Sequence, residues 1–112
     1  MKTKAELLPE CPVAVTVQLI GNKWKLLIIR NLRARPWRFN ELMKNLEGIS
    51  QKVLTDALRS MEADGIITRT VYAEVPPRVE YALSDLGKTM EPILDSMQAW
   101  GERYQAARTA AE

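Results

Sequence analysis

With 112 residues, 46% of them apolar, and a formal charge of only +2, the chain is long enough for one hydrophobic core. Its overall field is too weak to point to a polyanionic partner by itself. The absence of histidine and the single cysteine exclude a zinc site, a Ser-His-Asp triad, a Cys-His dyad and an internal disulfide within one chain. No nucleophile or acid/base pair with a partner remains to be named, so neither an enzyme nor a bound cofactor or metal is expected.

Lys2 and Lys4 precede an apolar run, but Pro9 and Glu10 interrupt it, and Thr16 and Gln18 break the next one. These stretches are too short and too polar for a signal peptide or a membrane span, so the expectation is a cytoplasmic protein with no membrane partner. The segment "PVAVTVQLI" is ambiguous. Val13, Val15, Val17 and Leu19 alternate as in a strand, and the pattern leans that way, whereas Pro12 before them and Gly21 after them suit the two ends of a helix.

"KWKLLIIRNL" is apolar through its middle, as for a central helix whose Lys23, Lys25, Arg30 and Arg33 reach water. With Arg35 and Arg38 these make six cations and no acid between Lys23 and Arg38, which reads either as a solvated helix face or as a basic surface. Phe39, Leu42, Met43 and Leu46 keep helical spacing in a short helix stopped by Gly48, and Ser50 is a candidate N-cap for the next helix.

That next segment, "SQKVLTDALRSMEADG", has the clearest periodicity in the chain at roughly 100° per residue. Val53, Leu54, Ala57, Leu58 and Met61 share one arc; Gln51, Lys52, Thr55, Arg59 and Glu62 share the opposite one. After Gly65, "IITRTVYAEV" pairs with "RVEYALS" across a tip stiffened by Pro76 and Pro77. A last helix is expected from Ser84 to about Arg108, with an apolar stripe of Leu86, Met90, Ile93, Leu94, Met97, Trp100 and Tyr104 and a kink at Pro92. At about 1.5 Å per residue it exceeds 30 Å, more than a chain of this size needs to cover its own core, so its far end should pack on another chain.

Two helices joined by a Gly-containing turn form a helix-turn-helix, here about residues 39–65, and the hairpin of about 66–84 follows at once as a wing. The front of the second helix suits a major groove: Gln51 can be bidentate to adenine, Lys52 and Arg59 reach guanine or phosphate, and the Thr55 methyl can meet thymine. Ser50 sits at a helix N-terminus whose amides can meet a phosphate, Arg38 is a phosphate candidate before the first helix of the motif, and the proline tip presents Arg78 to a minor groove or phosphate. Each part has a plainer reading: a polar surface helix, and a hairpin that closes the core and blunts an edge. Together they favour a winged helix-turn-helix of α+β, mainly α, class in one domain spanning 1–112, with a two-stranded hairpin wing.

The chain also resembles the HxlR-type, MarR-like winged-helix transcriptional regulators. The resemblance runs from "CPVAVTVQLIGNKWKLLII" through "RFNEL", "GISQKVLTDALRSMEADGIITR" and "VPPRVEYALSDLGKTMEPIL" to "AWG". It implies that Val13 to Ile20 is helical, that the first helix and the last (about 84–108) build a homodimer, that the helix after Ser50 reads double-stranded DNA, and that the proline hairpin is the wing. Asn22 stands where the family commonly has glycine, and "RARPW" lacks another. Cys11 lies at the expected start of the first helix, where the macrodipole favours an anion, although Glu10 beside it opposes one. Resemblance to family members that sense oxidants or electrophiles with this cysteine makes it a candidate redox site; an inert interface residue is the alternative.

The expected function is a homodimeric, sequence-specific regulator, a repressor by preference, acting on a palindromic operator. The alternatives are a winged-helix module for protein partners without DNA, and control by a small molecule at the dimer interface near Trp24, Trp100 or the methionines.

Overall fold

A computed structural model describes residue 3 and residues 6–112; Lys2 and Lys4, used above to judge the N-terminus, lie outside the described residues. In chain order the elements are α1 (Pro12–Ile20), α2 (Lys23–Leu32), β1 (Trp37–Arg38), α3 (Phe39–Asn45), α4 (Gln51–Ala63), β2 (Ile67–Tyr72), β3 (Arg78–Leu83), α5 (Asp85–Lys88) and α6 (Glu91–Ala111). Among the described residues, no helix is long and apolar enough to cross a membrane.

The core is built where α2, α3 and α4 meet. Ile28 and Ile29 of α2, Leu42 of α3, and Leu54, Leu58 and Met61 of α4 are its largest fully buried side chains. Each contributes roughly 1.5–3 kcal/mol by leaving water. Ile66, Ile67 and Leu83 extend the same core onto the sheet, and Ile20 and Met90 close it from α1 and from the junction before α6.

The strand-like alternation of Val13 to Ile20 misleads, because the segment is helical. Pro12 occupies the first turn, where its missing N–H costs nothing, and Gly21 caps the end by donating its N–H to the Val17 carbonyl at 2.7 Å. The sheet is made of β1, β3 and β2 and does not include this segment, and an alternating apolar run without a strand partner gains nothing by staying extended. Asn22 begins α2 by accepting from the N–H groups of Trp24 (2.9 Å) and Lys25 (3.2 Å), so it works as an N-cap.

Between α3 and α4 the helix ends at Asn45 rather than at Gly48; the Leu46 N–H caps it on the Leu42 carbonyl at 2.9 Å. Gly48 follows with φ of +90°, a turn that a side chain would strain, and Ile49 plugs the core beside it. Ser50 then caps α4, its hydroxyl oxygen accepting from the Val53 N–H at 3.1 Å. Val53 itself departs from its expected place: it is 40% exposed, on the edge of the apolar arc and outside the core.

The expected two-stranded hairpin is present as β2 and β3, and the short β1 joins it to make a three-stranded antiparallel sheet in the order β1-β3-β2. β3 pairs with β2 from Ile67↔Leu83 to Tyr72↔Arg78, and the two residues of β1 pair on its other side, Trp37↔Tyr81 and Arg38↔Glu80. Trp37 is fixed further by its indole N–H donating to the Asn31 carbonyl at 2.9 Å.

The final helix is also divided. Ser84 caps the four-residue α5, accepting from the Gly87 N–H at 2.9 Å, and the chain turns at Thr89 and Met90 before α6 begins. A continuous helix would drive the Pro92 ring against the carbonyl of Lys88; instead Pro92 falls in the first turn of α6, where proline is tolerated, and produces a break rather than a kink. None of the 21 residues of α6 is buried. The chain accordingly has a radius of gyration of 16.2 Å, against about 13 Å for a compact chain of this length.

Candidate nucleic-acid interface

The amphipathic period of α4 and the sheet behind it decide which polar residues meet. With Leu54, Leu58 and Met61 anchoring one face, Gln51, Lys52 and Arg59 are exposed on the other and Thr55 is half-buried beside them. Gln51, Thr55 and Arg59 line a cleft of about 470 Å³ together with Phe39, Glu62, Arg69 and Tyr81. Lys52 stands outside it, ion-paired to Asp56 at 2.7 Å one helical turn along. That pair is mostly in solvent, so it restrains Lys52 only weakly.

A second concave surface, of about 670 Å³, lies between the start of α3 and the wing tip, and Arg38 and Arg78 both line it with Arg35, Pro76 and Pro77. Arg38 is the N-cap residue of α3, and its backbone N–H donates to the Glu41 carboxylate at 2.8 Å. That bond holds the Glu41 carboxyl below its ordinary value; desolvation opposes it, and the charge and hydrogen bond of Arg35 and the charge of Arg38 add to the lowering. Arg35 stacks on the Trp37 ring at 3.9 Å and lies 3.5 Å from Glu41.

Arg78 is placed differently from a free tip residue. It is the first residue of β3, directly opposite Tyr72; its guanidinium lies 4.0 Å over the Tyr72 ring and 3.2 Å from the Glu74 carboxylate. Its side chain is 28% exposed, and its Nε is buried without a hydrogen-bond partner. The prolines thus hold a tip whose arginine folds back onto the ribbon. By contrast, Arg38, Arg59 and Arg69 form no ion pair among the described residues.

The sequence reading missed Arg69 and named Arg35 only as part of the basic run, without a place at a site. Arg69 lies two residues after buried Ile67 on β2, so strand alternation puts it on the helix-facing side of the sheet, a signal readable once the strand is known. Arg35 has no such signal, because its place depends on the pairing of β1 with β3.

Cys11 is far from these surfaces in the chain. It is the exposed N-cap residue of α1, without a side-chain capping bond. Trp24 packs against the core, whereas Trp100 lines an open apolar groove on α6 with Pro92, Ile93, Ser96 and Met97. Among the described residues, no group of three or more His, Cys, Asp or Glu side chains gathers as a metal site would require.

A model of the HxlR-like helix-turn-helix matches residues 19–109. The uncharacterized HTH-type transcriptional regulator YdeP of Bacillus subtilis is 46% identical over 95 residues, which cover 85% of this chain and 74% of that protein. Among solved structures, the redox regulator HypR in its reduced form superposes with a TM-score of 0.84 at 42% identity, covering 89% of this chain and 99% of that one. HypR in its oxidized form gives 0.79 at 46% identity, covering 83% and 96%.

Proposed function

The chain belongs to the HxlR-like helix-turn-helix family, and from that premise we propose that it is a homodimeric DNA-binding transcriptional regulator, not an enzyme, whose whole length acts as one winged-helix domain. The observation that carries this reading is the row Gln51, Lys52, Thr55 and Arg59, held clear of the core on α4 beside the wing. Two such helices in a symmetric dimer would enter successive major grooves of a palindromic operator, with half-sites about 10 bp or a multiple of it apart. Gln51, Lys52 and Thr55 face the bases of the groove, Arg59 reaches guanine or phosphate beside them, the Ser50 helix end and Arg38 meet phosphates, and Arg78 contacts DNA from the wing after exchanging Glu74 for phosphate. Bound across a promoter, such a dimer represses.

The apolar row of α6 supports the dimer. Ile93, Met97, Trp100 and Tyr104 are 38%, 47%, 63% and 53% exposed, and Val13 and Val17 of α1 are exposed too. A row of that size costs solubility unless a second copy covers it.

Cys11 supplies the regulatory part. It is exposed at the start of α1, and HypR is named a redox regulator. Because the chain has one cysteine, a disulfide between copies of this protein joins two subunits. Two Cys11 thiols give up two protons and two electrons to an oxidant such as diamide, which is reduced to its hydrazine, and the dimer is shifted.

The test is a mobility shift with DNA upstream of the protein's own and neighbouring genes, with and without diamide, repeated as salt is raised. Affinity should fall steeply with salt, as counterion release requires, whereas an apolar protein-binding surface would be insensitive. Replacing Arg59 or Lys52 by Ala should cost roughly 1–3 kcal/mol on the operator; no change would remove that residue from the interface. Cys11→Ser should abolish the diamide response, and a response that persists would exclude the cysteine.

A further inference from the structure

We propose that Arg69 and Arg59 clamp a DNA backbone phosphate in the cleft between α4 and the sheet, and that Glu62 in the same cleft holds this contact weak. The inference rests on the DNA-binding reading above and adds a site to it.

The argument starts from the sheet. Ile67↔Leu83 and Arg69↔Tyr81 are successive same-face pairs, and the first is buried under the helices. Fold stability alone would place an apolar residue opposite Tyr81. Arg69 stands there instead, exposed, and lines one cleft with Gln51, Thr55 and Arg59 of α4. Neither arginine is ion-paired among the described residues, so neither is occupied by the fold.

Phe39, Leu58 and Tyr81 also line the cleft, so part of its wall is apolar, which lowers the local dielectric and strengthens a charge-assisted hydrogen bond to an anion. Guanidinium forks match phosphate oxygens in two-pronged geometry. When α4 lies in a major groove and the wing approaches the neighbouring minor groove, the strand between the grooves passes α4 on the sheet side, where Arg59 and Arg69 wait. Such a contact positions the protein and carries no base information. Glu62 lies three residues after Arg59, lines the same cleft, and repels that phosphate.

The experiment measures binding by fluorescence anisotropy to an upstream duplex and to a random-sequence duplex of equal length, between about 50 and 200 mM salt. Arg69→Thr matches the threonines on either side in the strand, and an unchanged urea midpoint verifies its fold; Arg69→Lys serves as a second variant that keeps the charge. Arg69→Thr should weaken both duplexes by a similar factor, roughly 5–10-fold, and lower the salt slope by about 0.9. Arg69→Lys should keep the slope, and Glu62→Gln should tighten both duplexes. The clamp is refuted if Arg69→Thr leaves random-sequence binding and slope unchanged, if it weakens the upstream duplex alone, or if Glu62→Gln fails to tighten either. A wild-type protein that binds neither duplex overturns the DNA reading itself, a result distinct from failure of the clamp.

Discussion

Gly87 offers a test of the fold in which the sign of the effect is decisive. It lies in α5, and replacing a helical glycine by alanine ordinarily stabilises by about 0.5–1 kcal/mol. Here a Cβ would stand 2.1 Å from the Ile66 carbonyl oxygen and 3.3 Å from Leu83 Cδ2. The first contact is with backbone, so no rotamer change relieves it. The same oxygen also accepts from the Ser84 N–H at 3.0 Å and lies 2.9 Å from the Ser84 hydroxyl, so moving it disturbs the joint between the sheet and α5. Overpacking costs about 1–3 kcal/mol and a weakened hydrogen bond about 0.5–1.5 kcal/mol. Set against the helix gain, Gly87→Ala should lose about 0.5–4 kcal/mol, centred near 2, a sizeable part of the roughly 5–15 kcal/mol typical of a domain. Urea unfolding should show a lower midpoint at unchanged slope. Stability equal to or above that of the wild type would refute the close approach of α5 to the Ile66 backbone.

Three other outcomes follow from the structure. Trp100 and Tyr104 stack at 5.4 Å between ring centroids on the exposed row of α6, so Trp100→Ala should weaken self-association by about 2 kcal/mol or more, read by sedimentation across a concentration series, with little change in protomer helicity. Ser50→Ala removes the acceptor for the Val53 N–H and should cost about 1 kcal/mol in urea unfolding, while Ser50→Asp should restore most of it. Glu41 has a folded pKa below its ordinary value of 4.5, chiefly because the Arg38 N–H donates to its carboxylate. Its contribution is therefore full above the unfolded value and is lost as pH falls through the lower folded one. The urea midpoints of wild type and Glu41→Gln should converge over that acidic window and stay apart at neutral pH; a difference that does not change with pH would exclude the linkage.

Much of the fold was legible because it is local. The α4 helix repeats its apolar positions every three or four residues and begins at a serine cap, so its span, its buried face and the exposed Gln51, Lys52, Thr55 and Arg59 could be read without knowing what it packs against. Pro12 and Gly21 likewise marked both ends of α1, even though the valines between them alternate. The hairpin followed from two runs of alternating apolar and polar residues on either side of a proline tip.

Other features depended on contacts distant in the chain. Two residues, Trp37 and Arg38, carry no strand periodicity; they extend the sheet only because β3 presents an open edge to them. Val53 stands 40% exposed at the edge of the apolar arc, because no neighbouring element covers it, which a helical projection does not contain. The proline tip suggested a presented Arg78, but Tyr72 across the ribbon and Glu74 beside it draw the guanidinium back, an outcome set by strand register. Arg69 became part of the α4 cleft for the same reason. Sequence determined that α2, α3 and α4 are helices and which face of α4 is polar, because backbone hydrogen bonding and amphipathic burial act over a few residues. Only tertiary structure decided which arginines stand unpaired beside that face, because their partners lie on other elements and side-chain pairing depends on how those elements meet.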